Sequence, residues 1–88
     1  KIAPDYYISY QYVGLLFMKK GDMLKASKAF SKAISLNPSN AELYCSLGTC
    51  FVTLEQKSNA VSAFEKAAHL SPLEGYKTLL KKAKNEMK

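Results

Sequence analysis

The sequence predicts an all-α fold of tandem antiparallel helix-turn-helix units, five helices in all, and three observations carry that reading. Ten of the 34 residues from Tyr7 to Asn40 recur in register between Ala41 and Glu74. The matched pairs are Tyr10/Tyr44, Gly14/Gly48, Phe17/Phe51, Ala26/Ala60, Ala29/Ala63, Phe30/Phe64, Lys32/Lys66, Ala33/Ala67, Leu36/Leu70 and Pro38/Pro72, with Val13/Leu47 a conservative eleventh. A fixed period of about 20–50 residues marks stacked supersecondary units that bury their apolar faces only against one another. Apolar residues also recur at helical spacing, and no segment alternates with a period of two between turn pairs, so no strand is expected. Finally, a proline ends each unit at the same place, where it cannot continue a helix and disfavours helix in its predecessor.

The elements follow in order. Residues 1–6 are a lead-in, with Pro4 suited to a helix start and Asp5 to capping it. Residues 7–40 form the first unit. Its first helix runs from Tyr6 to Lys20 on apolar positions 6, 10, 13 and 17, and Gly21-Asp22 breaks it. Its second runs from Met23 to Leu36, with Ala26, Phe30, Ala33 and Ile34 on one side, and Asn37-Pro38-Ser39-Asn40 stops it. Residues 41–74 repeat the plan. A helix from Ala41 to Leu54 carries Tyr44, Leu47, Phe51 and Leu54 on one stripe. Glu55-Gln56-Lys57 makes the turn without the glycine found at position 21. Ser58 or Asn59 is expected to cap the next helix, which runs to Leu70 through Ala60, Phe64 and Ala67. Residues 75–88 close the chain with a helix from Gly75 to Met87, apolar at Tyr76, Leu79, Leu80, Ala83 and Met87. Lys77, Lys81, Lys84 and Lys88 share a neighbouring face and read as a solvated capping surface.

Residue sizes fit helix-on-helix packing. Gly14 and Gly48 sit mid-helix, where glycine costs about 1 kcal/mol relative to alanine, so another backbone is expected to approach closely there. Ala26, Ala33, Ala60 and Ala67 make the same allowance on the second helix of each pair. The rings at 10, 17, 30, 44, 51 and 64 then fill the spaces left around them.

Composition excludes several function classes. A hydrophobic content of 48% argues for a packed chain over a disordered one. Apolar runs are far shorter than the roughly 18–20 residues a membrane span needs. The +6 charge comes from lysine alone, and the missing guanidinium forks weaken a nucleic-acid reading. A solubility surface explains the charge, and neither nucleic acid nor membrane is expected as a partner. Cys45 and Cys50 lie about 140° apart on a helix of 3.6 residues per turn, so they neither pair nor share a metal. They read as small buried thiols suited to a reducing compartment, cytoplasmic or nuclear. His69 stands alone on an outward-facing position, the four glycines are scattered, and no nucleophile, base or carboxylate pair falls at a catalytic spacing. No enzymatic activity, metal or cofactor is expected.

The order of small, large and proline positions resembles the tetratricopeptide repeat. The first repeat supplies Tyr10, Val13, Gly14, Phe17, Ala26, Phe30, Ala33 and Pro38; the second supplies Tyr44, Leu47, Gly48, Phe51, Ala60, Phe64, Ala67 and Pro72. The resemblance implies a right-handed superhelical solenoid closed by a capping helix, and a protein–protein interaction module acting as adaptor or scaffold. It also implies a concave groove lined by the first helix of each repeat. The corresponding residues are Ile8, Gln11, Leu15, Met18 and Lys19, then Glu42, Cys45, Thr49, Val52 and Thr53, extended by Tyr76 and Leu79, with Ala83 beyond them. These are mostly apolar or small, so a helix or extended peptide with apolar anchors is the expected partner. The family's subclass that clamps the acidic C-terminal tail of chaperones needs cationic and amide donors. Gln11, Leu15, Ser46, Tyr76 and Leu80 stand at those places here, so no such clamp is expected. The alternative is a structural stretch of a longer solenoid. Two repeats are fewer than the three or so that stacking usually needs. The chain also starts at Lys1 with no initiator methionine and reads as a fragment of a longer protein. Further repeats ahead of Lys1, or self-association through Tyr6, Tyr7 and Tyr12, are therefore expected to cover the first helix.

Overall fold

A computed structural model describes residues 6–86, and the expected lead-in capping by Pro4 and Asp5, together with Met87 and Lys88, lies outside them. Five α-helices follow one another: α1 (Tyr6–Lys20), α2 (Met23–Leu36), α3 (Ala41–Thr53), α4 (Lys57–Leu70) and α5 (Glu74–Glu86). Each packs mainly on its chain neighbours, α1 on α2, α2 on α3, α3 on α4 and α4 on α5. No strand occurs among the described residues.

Local chemistry sets most of the boundaries. Asp22 caps α2, its Oδ1 accepting from the Lys25 N–H at 3.1 Å, and Asn40 caps α3 by accepting from the Glu42 N–H at 3.0 Å. The turn after α1 is closed by Gly21 N–H on the Met18 carbonyl (3.0 Å) and Asp22 N–H on the Phe17 carbonyl (2.9 Å), with Gly21 at φ +84°. The turn after α3 repeats the pattern, with Glu55 N–H on Val52 at 3.0 Å and Gln56 N–H on Phe51 at 2.8 Å. Here the left-handed position is filled by Glu55, at φ 61°. Three expected boundaries are corrected, the last helix first: α5 begins at Glu74 and not at Gly75. Helix α3 stops at Thr53, with Leu54 as its cap. Helix α4 begins at Lys57 behind Gln56, which makes no side-chain cap to the backbone; instead the Asn59 amide donates to the Gln56 side-chain carbonyl at 2.8 Å.

The core has two connected parts. Ala26, Phe30 and Ala33 of α2 bury against Leu43 and Cys50 of α3, with Tyr7, Tyr10, Phe17, Met18 and Leu47 around them. Ala60 and Phe64 of α4 bury against Ala83 of α5, flanked by Cys45, Phe51, Leu79 and Leu80. The mid-helix glycines are explained by rings and not by a second backbone. A Cβ at Gly14 would stand 2.8 Å from the Phe30 ring, and one at Gly48 2.7 Å from the Phe64 ring. Each phenylalanine ring thus lies in contact with the first helix of its own pair. Tyr7, assigned above to an exposed flank, packs on the core. Val13 is exposed because none of the described residues covers that side of α1, and Pro38 and Pro72 are exposed at the helix ends. Cys50 is fully buried, whereas Cys45 is only half-buried.

The last helix breaks the 34-residue period. Three residues separate α4 from α5 where four separate α2 from α3. An offset of 34 would send buried Leu43 and Cys50 to Lys77 and Lys84, both exposed; an offset of 33 sends them to Tyr76, half-buried, and Ala83, buried. The shorter loop turns α5 by one residue, placing its lysines outward. Lys84 reaches Glu65 of α4 at 3.7 Å.

Candidate protein-interaction surface

The first helix of each pair leaves apolar side chains uncovered. On α1, Ile8, Leu15 and Lys19 are exposed, Gln11 is half-buried, and Met18 folds onto the core. On α3, Glu42, Val52 and Thr53 are exposed, while Cys45 and Thr49 are half-buried. On α5, Tyr76 and Leu79 are half-buried. Backbone bonds fix the polar members. The Thr49 hydroxyl donates to the Cys45 carbonyl at 3.1 Å and the Thr53 hydroxyl to the Thr49 carbonyl at 3.2 Å. Each hydroxyl proton is thus committed within α3.

Two groups of these residues converge. Glu42, Cys45 and Tyr76 meet at one end of the α3–α5 seam. Burial, and then the Glu42 carboxylate, raises the Cys45 thiol above its ordinary value, and burial with Cys45 and Glu42 beside it raises the Tyr76 hydroxyl. Both groups therefore stay neutral near pH 7, and the thiol is a poor nucleophile. Further along, Thr49 and Val52 of α3 face Leu79, Lys82 and Ala83 of α5 across a cleft of about 150 Å³, with the Phe64 ring at its base. The α1 members do not line this cleft.

Lys82 is the lining residue that the sequence reading omits, and Phe64 is named there only as a packing position. The signal for Lys82 was the 33-residue offset: it then corresponds to Thr49, a groove position, whereas at 34 it corresponds to Gly48. Among the described residues no group of histidine, cysteine and carboxylate side chains is placed to hold a metal, and no helix is long and apolar enough to cross a membrane.

Known proteins carry the same pattern. A TPR repeat model matches residues 14–54, and a Tetratricopeptide repeat model matches residues 41–72. The human protein O-mannosyl-transferase TMTC3 is 33% identical over 72 residues, 81% of this chain and 8% of that protein. The chain thus spans less than a tenth of that relative's length. With two helix pairs followed by a fifth helix, a repeated glycine-on-phenylalanine contact and two family matches running from residue 14 to residue 72, the chain belongs to the tetratricopeptide repeat family.

Proposed function

We propose that this chain is a non-enzymatic adaptor or scaffold module that binds a peptide or helix of a partner protein along the surface formed by the first helices, α1 and α3, and by α5. The observation that carries the reading is the unfilled apolar cleft between α3 and α5, continued on α1 by exposed Leu15 and Ile8. Apolar surface lining a concave cleft of a helical stack is a binding resource. Tetratricopeptide repeats are in general interaction modules without catalysis, and the transferase named in the human relative covers a far longer protein. The part proposed for this chain is recognition, not group transfer.

The test is capture of partners from cell extract by wild type and by a Leu15→Lys, Val52→Lys double variant, read by mass spectrometry. Both residues are exposed, so the melting temperature should not move, and partners lost by the variant identify the surface. Identical partner sets at equal stability would refute the reading. The second reading, a structural stretch of a longer solenoid, is favoured by one observation: the outer side of α1 carries exposed Tyr6, Tyr12, Val13 and Leu16. It predicts that those four residues, and not Leu15 and Val52, control assembly.

A further inference from the structure

We infer that the cleft between α3 and α5 is an anchor subsite for one branched or unbranched aliphatic side chain of a partner segment that carries a carboxylate beside it. This rests on the reading of the surface as a peptide-binding one. The size comes first. A dry apolar cavity of about 150 Å³ accepts a benzene-sized group, so the cleft of about 150 Å³ here holds one Leu, Ile or Met side chain. Its walls are apolar: Val52, Leu79, Ala83, the Phe64 ring, and Thr49 with its hydroxyl turned to the Cys45 carbonyl.

The comparison with the first hairpin says why the space is open. Thr49 and Val52 hold the places of Leu15 and Met18 one repeat earlier, and Ala83 holds the place of Cys50. Thr49, Val52 and Ala83 are each smaller than their counterparts, and although Leu79 and Lys82 are larger than Ser46 and Thr49 at theirs, the hollow over Phe64 stays open, whereas Met18 packs on the core containing the corresponding Phe30. Charge then selects the partner. Lys82 is exposed at the rim, where its ammonium is open to a carboxylate brought by a partner. The chain as a whole carries +6. A second copy would bring more cation to this rim, whereas an acidic segment neutralises it.

The probes are blocked dipeptides, N-acetyl-Leu-Asp-amide and N-acetyl-Asp-Leu-amide, titrated into the ¹⁵N-labelled chain and followed by amide shifts. At least one of the two should shift residues 49–53 and 79–83 with millimolar affinity. Replacing leucine by alanine in the probe should weaken it about tenfold or more, since most of the contact area is lost. Replacing aspartate by asparagine should weaken it by about two- to fivefold at low salt and by less at high salt, as an exposed pair dictates. Lys82→Gln should make the Asp and Asn probes equivalent. Val52→Met and, independently, Thr49→Leu restore the first hairpin's residues and should abolish binding.

Leucine and alanine probes that shift the same residues equally would overturn the subsite, as would no shift at the cleft or undiminished binding to both filled variants. If the dipeptides fail while the Leu15→Lys, Val52→Lys variant still loses its partners, the subsite falls and the surface stands. If they bind while that variant keeps its partners, the subsite stands and the surface reading falls.

Discussion

Cys50 of the second hairpin is fully buried, whereas Leu16, which holds the same place in the first, is 44% exposed. Leu43 is fully buried, and Ser9, its counterpart, is exposed. Val13 is exposed where Leu47 is half-buried. The two first helices thus have the same backbone role and different neighbours: α3 lies against α2, and nothing lies against the matching side of α1 among the described residues. The difference teaches that a repeat sequence specifies a face, and that the face becomes core only when another hairpin supplies the other half. It also explains a helix as apolar as α1 in which Gly14 alone is buried.

The sharpest way to break this comparison is to remove the ring that each pair folds around. Phe30→Ala should cost about 3–5 kcal/mol, the range for deleting a buried phenylalanine side chain, because Phe30 is closed in by both α1 and α3. Phe64→Ala should fall at the lower end, since its ring already borders an open cleft. Urea denaturation of the two variants reads the difference, and an equal or reversed order would mean that the cleft is closed in solution.

A second contrast tests coverage directly. Cys50→Ser places a hydroxyl where a buried thiol packs, at a cost of about 1–3 kcal/mol. Leu16→Ser should stay within about 0.5 kcal/mol, as for an exposed site. If Leu16→Ser costs as much as Cys50→Ser, the α1 flank is covered in solution, and light scattering should then show a mass that rises with concentration.

What the sequence makes legible follows from what each signal encodes. Repetition encodes pairing, so the helices and the need for a small residue at positions 14 and 48 could be read directly, but not that the Phe30 and Phe64 rings, and no second backbone, fill the space there. Repetition is silent where it ends. The loop from Ser71 to Leu73 lacks one residue relative to Asn37–Asn40, and that shift, which sends Lys77 outward and Ala83 inward, has no motif to announce it. Lys82 was missed for that reason. Likewise the start of α4 at Lys57 is set by the turn geometry at Glu55 and Gln56, and the usual capping residues Ser58 and Asn59 stand two and three positions past the cap. Exposure of Val13 was not legible either, because signature positions record what the family buries and not which neighbour is present.

The glycines distinguish the hairpins at a finer scale. Alanine at either position gains about 1 kcal/mol of helix propensity and meets a rigid ring inside 3 Å, an overpacking cost of about 1–3 kcal/mol. Gly14→Ala should therefore destabilise by about 1–2 kcal/mol, because Phe30 is wholly enclosed. Gly48→Ala should be milder, since Phe64 has the cleft to move into, and the same move should weaken dipeptide binding there. Thermal melts of the pair, with the titration repeated on Gly48→Ala, decide it; a milder Gly48→Ala that binds dipeptide as wild type does would refute the ring movement.

The smallest contrast lies in the turns. Gly21 and Glu55 occupy equivalent positions with left-handed backbone, φ +84° and 61°, and matching hydrogen bonds on the carbonyls of Met18 and Val52. A side chain in this region crowds its own backbone, which glycine avoids. Gly21→Ala should then lose about 1 kcal/mol and Glu55→Gly gain somewhat less, the unfolded chain's added freedom offsetting part of the relief. Neither position touches the cleft, so the gain should appear as a higher melting temperature with dipeptide affinity unchanged. A Glu55→Gly variant no more stable than wild type would show that the Glu55 side chain makes up for its own strain, and that the second turn is held by different forces from the first.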